Sequence, residues 1–201
     1  MKRPLHCAIT LWLLAAGAVP PARAQDGESQ RVNLALQGWP VDSFALVDQH
    51  GKALTHRRLQ GQWTFVLFGD TRCAQPCAAA LSALAAMDQR IARAEAIKTT
   101  QVLFVSLDPE RDTPEVLRRY LASFDERFIG GTASRQALRR LTDDLGVSGP
   151  DRFKPESRAD DASYAGSVLL IGPDAVVRAE LLPPFDPLLL TAEYLKTRAG
   201  R

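Results

Sequence analysis

Two cysteines, Cys73 and Cys77, stand four residues apart where an apolar, β-prone run meets an Ala/Leu-rich segment. Residues four apart share one face of a helix, and neighbouring turns bring their Cα atoms to about 6 Å, within disulfide range. The spacing therefore predicts a pair that can cycle between dithiol and disulfide. An inert structural bridge is the alternative, although closing so small a loop constrains the unfolded chain little.

Charges beside the pair bear on its reactivity. We expect Cys73 near a helix N-terminus, where the helix dipole and free N–H groups favour a thiolate, and Arg72 adds a positive charge. Asp70 opposes this effect. In thiol–disulfide exchange we expect Cys73 to attack as the thiolate and Cys77 to resolve the mixed disulfide.

The same two sulfurs are a candidate metal site. Two thiolates suit a soft ion, and Cu(I) is the natural choice. A closed zinc site needs four ligands, more than this pair supplies. His50 and His56 lie in a turn and in a polar segment, so we expect both to be ordinary surface residues.

The N-terminus has the layout of a secretory signal. Lys2 and Arg3 precede a short apolar run over residues 9–19, and Ala22-Arg23-Ala24 supplies small residues where a signal peptidase reads them. The run is shorter than the roughly 20 residues that span a bilayer as a helix. We therefore predict that residues 1–24 are a signal peptide and that the protein is exported and periplasmic, soluble after cleavage near Ala24. A retained leader would instead anchor it to the membrane.

Composition limits the remaining classes. The chain has 201 residues, of which 46% are hydrophobic and 24% charged, so it is neither disordered nor collagen-like and suits one domain. The formal charge of +2 becomes −1 without the leader, which carries three basic residues and no acid. That balance argues against nucleic acid as a partner. Without the leader the chain keeps one cysteine pair, and an oxidising compartment lets its disulfide persist.

The elements that must position the pair follow from the hydrophobic pattern. We predict an irregular lead-in over residues 25–40 and one domain over 41–199. Strands are expected at 44–47, 63–68, 102–107, 167–171 and 176–181. Helices are expected from Cys73 to about residue 97, from an Asp112 or Thr113 cap to Phe124, and at 134–145 and 186–198. Residues 148–163 are expected to form an exposed loop. Strands joined through helices pair in parallel, and the last two strands form a hairpin. This order predicts an α/β fold, a thioredoxin-like mixed sheet flanked by helices on both faces.

Residues 40–198 resemble the SCO/SenC family of exported thioredoxin-fold proteins. The resemblance rests on Phe68-Gly69-x-Thr71-x-Cys73-x-x-x-Cys77, on Asp48–Lys52, on Tyr164 with the strand at 167–171, and above all on the run VSLDPERDTPE at 105–115. The family serves assembly of the binuclear copper (CuA) centre of cytochrome c oxidase. The resemblance therefore implies copper at Cys73 and Cys77. It also implies, as a partner, the copper-bearing oxidase subunit or another copper or thiol protein, with membrane contact only through that partner or a retained leader.

The sequence departs from the family pattern at the third copper ligand. In the family a histidine just before the serine of the late strand completes a Cys-Cys-His site; here that position is Gly166, and no histidine follows His56. The family's prolines after each cysteine and the aspartate between them are replaced by Ala74, Ala78 and Gln75. With one ligand missing, we expect Cu(I) to be held, if at all, by two sulfurs and Cu(II) binding to be weak or absent.

Two classes of function stay open. One is a binding protein, a copper chaperone or sensor. The other is a thiol–disulfide oxidoreductase that reduces cysteines on an oxidase subunit, or a dedicated reductase that delivers no copper. The missing histidine favours the reductase, while the absence of C-x-x-C and of a proline just before Ser167 argues against a general thioredoxin. A thiol peroxidase needs its cysteine in a different motif, and a degenerate paralogue with a partner-binding role is a further alternative.

Overall fold

The structure is a computed structural model that describes residues 32–34, 38–73, 75–92, 98–147 and 167–200. The predicted signal peptide, the predicted loop at 148–163, and the positions of Tyr164 and Gly166 lie outside these ranges. Among the helices described, none combines the length and the apolar character needed to cross a membrane.

One mixed sheet of eight strands organises the described chain. The strands, in chain order, are β1 (Val32–Leu34), β2 (Ala45–Asp48), β3 (Ala53–Thr55), β4 (Trp63–Gly69), β5 (Thr100–Ser106), β6 (Ile129–Thr132), β7 (Val168–Ile171) and β8 (Val177–Leu181). Their order across the sheet is β1-β8-β7-β4-β5-β6-β2-β3. The central strands β4, β5 and β6 run parallel, and the other neighbours pair antiparallel. The mixed sheet predicted from the sequence is confirmed.

Helices cover both faces of the sheet. They are α1 (Gln75–Ile91), α2 (Pro114–Ala122), α3 (Arg135–Asp144) and α4 (Pro187–Ala199). Strand β4 is buried at all seven positions, and its side chains alternate between two cores. Phe65 and Leu67 pack into the core that receives α1, α2 and α4, whereas Val66 and Phe68 pack into the core that receives α3. The α/β arrangement with two covered faces is therefore as predicted.

Three strands were not predicted from the sequence. Strand β1 lies inside the segment expected to be irregular, and it pairs with β8; farther along, Val177 donates to the carbonyl of Trp39 at 2.9 Å. Strand β3 has only three residues. Strand β6 contains two adjacent glycines, which are poor strand formers. A Cβ on Gly130 would lie 2.8 Å from Leu121 Cδ1, so packing between sheet and helix requires glycine there.

The helices α2, α3 and α4 begin at the predicted capping signals, whereas α1 differs from its prediction at both ends. Thr113 caps α2, Ser134 caps α3 and Asp186 caps α4, each accepting a backbone N–H from the first turn. Gly146 follows α3 with φ of 64°, a conformation that favours glycine. Helix α1 ends at Ile91, earlier than the expected residue 97, and residues 93–97 lie outside the described ranges.

Candidate functional site

Cys73 and Cys77 form a disulfide at the carboxyl end of β4. Their Cα atoms are 5.5 Å apart, close to the distance expected from the spacing. The prediction that the two cysteines share one helix face is wrong, because α1 begins at Gln75 and only Cys77 belongs to its first turn. Cys73 lies in the turn that precedes the helix, where its backbone N–H donates to the carbonyl of Asp70 at 3.0 Å.

The two sulfurs differ in exposure. Cys77 has no exposed surface, whereas Cys73 is half-buried at the edge of the core. A Cβ on Gly69 would lie only 2.5 Å from Cys77 Sγ, so the last residue of β4 packs its backbone directly against the buried sulfur. A thiol reagent or a partner's disulfide can therefore reach Cys73 more readily than Cys77. The assignment of Cys73 as the attacking cysteine and Cys77 as the resolving cysteine stays a prediction.

A buried carboxylate, Asp112, fixes the turn that carries Cys73. Asp112 is 1% exposed and accepts hydrogen bonds from the backbone N–H of Thr71 at 3.0 Å and from its hydroxyl at 2.6 Å. It also accepts one from the hydroxyl of Ser106 at 2.5 Å. Thr71 follows β4, Ser106 ends β5 and Asp112 precedes α2, so one carboxylate joins three elements. The sequence suggested Asp112 only as a helix cap, a role that Thr113 fills.

Surface charges next to Cys73 largely compensate one another. Arg72 is exposed, and its guanidinium lies 3.4 Å from Asp108 and 4.0 Å from Asp70. Asp108 also pairs with Arg111. The positive charge expected to favour a Cys73 thiolate is therefore shared with two carboxylates, and exposed pairs of this kind contribute little to stability.

Tyr120 contributes a buried hydroxyl to the same region. Its ring packs against Phe104 and Phe124, with ring centroids 5.6 Å and 5.3 Å apart. Its hydroxyl oxygen is buried and has no hydrogen-bond partner. Burial raises the pKa of Tyr120, and the nearby negative charges of Asp70 and Asp112 raise it further. From the sequence, Tyr120 belonged only to the apolar face of α2, and no sequence signal marked its hydroxyl.

Neither predicted surface histidine joins the cysteines. His50 is exposed in the turn between β2 and β3, at the far edge of the sheet, and His56 begins a short 3₁₀ helix after β3. Within the described ranges, no group of three or more His, Cys, Asp or Glu side chains could hold a metal ion. Once the disulfide is reduced, the two thiolates suit a soft ion such as Cu(I).

Comparisons with known proteins agree with this architecture. The SCO1/SenC family model matches residues 38–195. A "Putative copper-binding protein" of Stutzerimonas stutzeri is 29% identical over 182 residues, 87% of each chain. The mitochondrial SCO2 homolog of Bos taurus is 28% identical over 157 residues, which cover 77% of this chain and only 59% of that longer protein.

Solved structures extend the agreement to the fold. The crystal structure of yeast Sco1 with copper bound superposes with a TM-score of 0.68 at 23% identity, over 82% of this chain and 96% of the yeast chain. That likeness confirms the thioredoxin-like fold. Since the family model spans most of the sequence, including both cysteines and the buried Asp112, the chain belongs to the SCO1/SenC family.

Proposed function

We propose that this protein is exported to the periplasm and acts there in assembly of a copper centre, the CuA centre of cytochrome c oxidase, through Cys73 and Cys77. The observation that carries the proposal is the disulfide between one accessible and one fully buried cysteine. Membership of the SCO1/SenC family supports the link to copper. The signal-like leader supports export. The partner is the copper-bearing oxidase subunit or another copper or thiol protein.

The first activity of the pair is thiol–disulfide exchange. The Cys73 thiolate attacks a disulfide on the partner and forms a mixed disulfide, and one partner sulfur leaves as a thiolate. Cys77 then loses its proton and attacks the Cys73 sulfur, which releases the second partner sulfur and closes the bridge. Two electrons pass to the partner, whose cysteines are then free to take copper. The buried position of Cys77 suits it to this second, intramolecular step.

The second activity is binding of Cu(I) as cargo by the reduced pair. Two thiolates are adequate ligands for Cu(I), whereas Cu(II) prefers nitrogen and oxygen donors in a tetragonal set. The family's histidine is replaced by Gly166 in the sequence. We therefore expect Cu(I) to bind through two sulfurs and Cu(II) to bind weakly.

Anaerobic titration of reduced protein with Cu(I) and Cu(II) tests this proposal. Wild type is expected to take up one Cu(I) and to show no Cys–Cu(II) charge-transfer band. Gly166→His is expected to gain that band, and Cys77→Ser is expected to lose most Cu(I) binding. A tight stoichiometric Cu(II) complex in wild type would contradict the two-sulfur site.

A reductase that delivers no copper is the second candidate. It is favoured by the absence of a third potential ligand beside the pair among the described residues. The discriminating experiment mixes Cu(I)-loaded protein with a peptide that carries two reduced cysteines, and separately mixes reduced protein with the oxidised peptide. Copper transfer supports the chaperone, whereas disulfide reduction without transfer supports the reductase.

Export has its own test. Expression of the full chain in a Gram-negative host is expected to yield a periplasmic protein whose first residue is Gln25, as measured by mass spectrometry. A full-length protein in the membrane fraction would instead indicate a retained leader.

A further inference from the structure

We propose that a cavity at the amino end of the parallel strands binds a small multivalent anion, one that carries two or more carboxylate or phosphate groups. The cavity has a volume of about 570 Å³, and neither cysteine is among the residues that line it. Sites for small molecules commonly measure roughly 300–1,000 Å³, so the cavity has room for such an ion. The proposal is independent of the redox and copper role proposed above.

Three segments of the chain bring basic side chains to this cavity. Strands β4, β5 and β6 run parallel, so the residues that precede them lie at one edge of the sheet. Arg57 and Arg58 form part of the 3₁₀ helix before β4. Lys98 precedes β5, and Arg127 precedes β6. Asp88 of α1 is the one acidic residue in the described lining. Four cations therefore face one carboxylate, and the excess of positive charge favours an anion.

The two arginines of the 3₁₀ helix have no carboxylate partner within the described part of the chain. Both Arg57 and Arg58 are exposed, and neither side chain takes part in an ion pair there. Their backbone is held in place by Gln101 of β5, whose Nε2 donates to the carbonyl of Arg58 at 2.8 Å and to Thr64 Oγ1 at 2.9 Å. The structure therefore fixes two guanidinium groups at the cavity without a counter-ion from the described residues.

Arg127 is held in position before a ligand arrives. Its Nε and Nη2 donate to the carboxylate of Asp125 at 3.0 Å and 2.6 Å, and its Nη2 lies 3.4 Å from Asp88 Oδ2. A guanidinium has five N–H donors, and no described residue accepts from Nη1. A side chain that is already ordered loses less conformational entropy on binding, so Arg127 can hold an anion at a lower cost than a mobile arginine.

The chemistry of the lining indicates the class of ligand. The planar guanidinium fork matches the paired oxygens of a carboxylate or a phosphate. Cations on three separate segments suit an ion with more than one anionic group. Asp88 acts against binding, because burial raises its pKa only to about 6 and the carboxylate is therefore ionised at pH 7.5. Its negative charge lowers the affinity that the four cations provide.

Titration calorimetry of the oxidised protein at pH 7.5 and low ionic strength tests the proposal. The probes are citrate, pyrophosphate and, as the monovalent control, acetate. Citrate or pyrophosphate is expected to bind with a dissociation constant below about 1 mM, and acetate at least about tenfold more weakly. Binding of citrate alone would identify a polycarboxylate ligand, and binding of pyrophosphate alone a phosphate compound. Dissociation constants above about 1 mM for both ions would overturn the proposal.

Charge variants show whether a binding ion occupies this cavity. Arg57→Gln/Arg58→Gln is expected to weaken binding about tenfold or more, whereas Asp88→Asn is expected to strengthen it several-fold. The matched control is Arg139→Gln/Arg140→Gln, which removes the same charge from an exposed, adjacent pair on α3 outside the cavity lining. Its affinity is expected to stay within about twofold of wild type.

Equal losses in the two double variants, or weaker binding in Asp88→Asn, would overturn the assignment to this cavity. The copper and thiol measurements do not involve the cavity, so failure of the proposed function and failure of this inference are distinguishable.

Discussion

The two ends of the parallel strands β4 and β5 each bury one carboxylate, and the two carboxylates have opposite surroundings. At the carboxyl end, Asp112 accepts three hydrogen bonds from Thr71 and Ser106. At the amino end, Asp88 of α1 is 3% exposed and lies 3.4 Å from Arg127, and its Oδ1 has no hydrogen-bond partner.

The difference leaves Asp112 fully hydrogen-bonded, whereas one oxygen of Asp88 is buried without a hydrogen-bond partner. Burial raises the pKa of Asp88 to about 6, more than the positive charge of Arg127 lowers it, and the negative charge of Asp125 raises it further. A cavity of about 570 Å³ opens at this amino end, and its lining includes Asp88 and Arg127 but neither cysteine. The candidate chemistry therefore lies where a buried carboxylate organises a turn, away from this cavity.

The largest expected effect is at Asp112. Asp112→Ala leaves the donors of Thr71 and Ser106 without an acceptor, and unsatisfied buried groups cost roughly 1–3 kcal/mol each. We expect the free energy of unfolding to fall by about 3–5 kcal/mol, measured by chemical denaturation of the oxidised protein. Asp112→Asn keeps an acceptor oxygen, so its free energy of unfolding should fall less than that of Asp112→Ala. A loss in Asp112→Ala no larger than about 1 kcal/mol, the usual cost of a helix cap, would contradict the structural role.

Asp88 should make the stability of the protein depend on pH. Its pKa is higher in the folded protein than in the unfolded chain, so the folded state binds more protons between about pH 4 and 6. Stability therefore falls as pH rises through this window and stays lower above it. Asp88→Asn removes the buried charge. It is expected to raise the free energy of unfolding by roughly 2 kcal/mol at pH 7.5 and to change it little at pH 4.

Asp125 supplies a control of opposite sign for that experiment. Burial alone would raise its pKa, but hydrogen bonds from the Arg127 side chain and backbone lower it. Asp125 thus stabilises the fold at neutral pH, and Asp125→Asn should lose stability there. Urea denaturation at pH 4 and pH 7.5 separates the two variants. A loss of stability at pH 7.5 in Asp88→Asn would show that pairing with Arg127 outweighs the cost of burying the Asp88 charge.

Gly69 tests how tightly the cysteine end is packed. A Cβ there would meet Cys77 Sγ at 2.5 Å and Phe104 Cε2 at 3.3 Å. Gly69→Ala is expected to destabilise the oxidised protein by about 1–3 kcal/mol through overpacking. Gly61→Ala is a control in which a Cβ meets nothing within 4 Å, although its φ of 74° adds backbone strain. Equal unfolding midpoints for Gly69→Ala and wild type would mean that the buried sulfur can move aside.

Much of the fold was predictable because long apolar runs carry it. The central β4–α1–β5 unit and the β7–β8 hairpin appeared in the sequence as buried strands, a helical pattern and a Gly-Pro-Asp-Ala turn. Strand β6 was not predicted because its glycines are poor strand formers. They are needed for close packing against Leu121 and Leu46, which only the tertiary structure brings near. The same holds for β1, whose partner β8 is far along the chain.

The cysteine pair was predictable from local spacing, but the residues that hold and surround it were not. Thr71 and Asp112 are 41 positions apart, so their hydrogen bonds leave no local signature. Asp88 stands in an Ala/Leu-rich helix, where the sequence pattern predicts that a single acidic residue is exposed. Tyr120 reads as core. In each case the side chain's role depends on what the fold sets opposite it.

Arg72 should give the smallest effect and the sharpest contrast with Asp112. Its side chain is 63% exposed and its guanidinium lies 3.4 Å from Asp108 and 4.0 Å from Asp70, so Arg72→Gln is expected to change the free energy of unfolding by less than about 0.5 kcal/mol. Arg119→Gln, which removes another exposed pair on α2, should behave alike. A loss above about 1 kcal/mol in Arg72→Gln alone would mean that surface charge holds the cysteine turn. A small loss means that the buried bonds to Asp112 hold it, because those bonds are shielded from both solvent and salt.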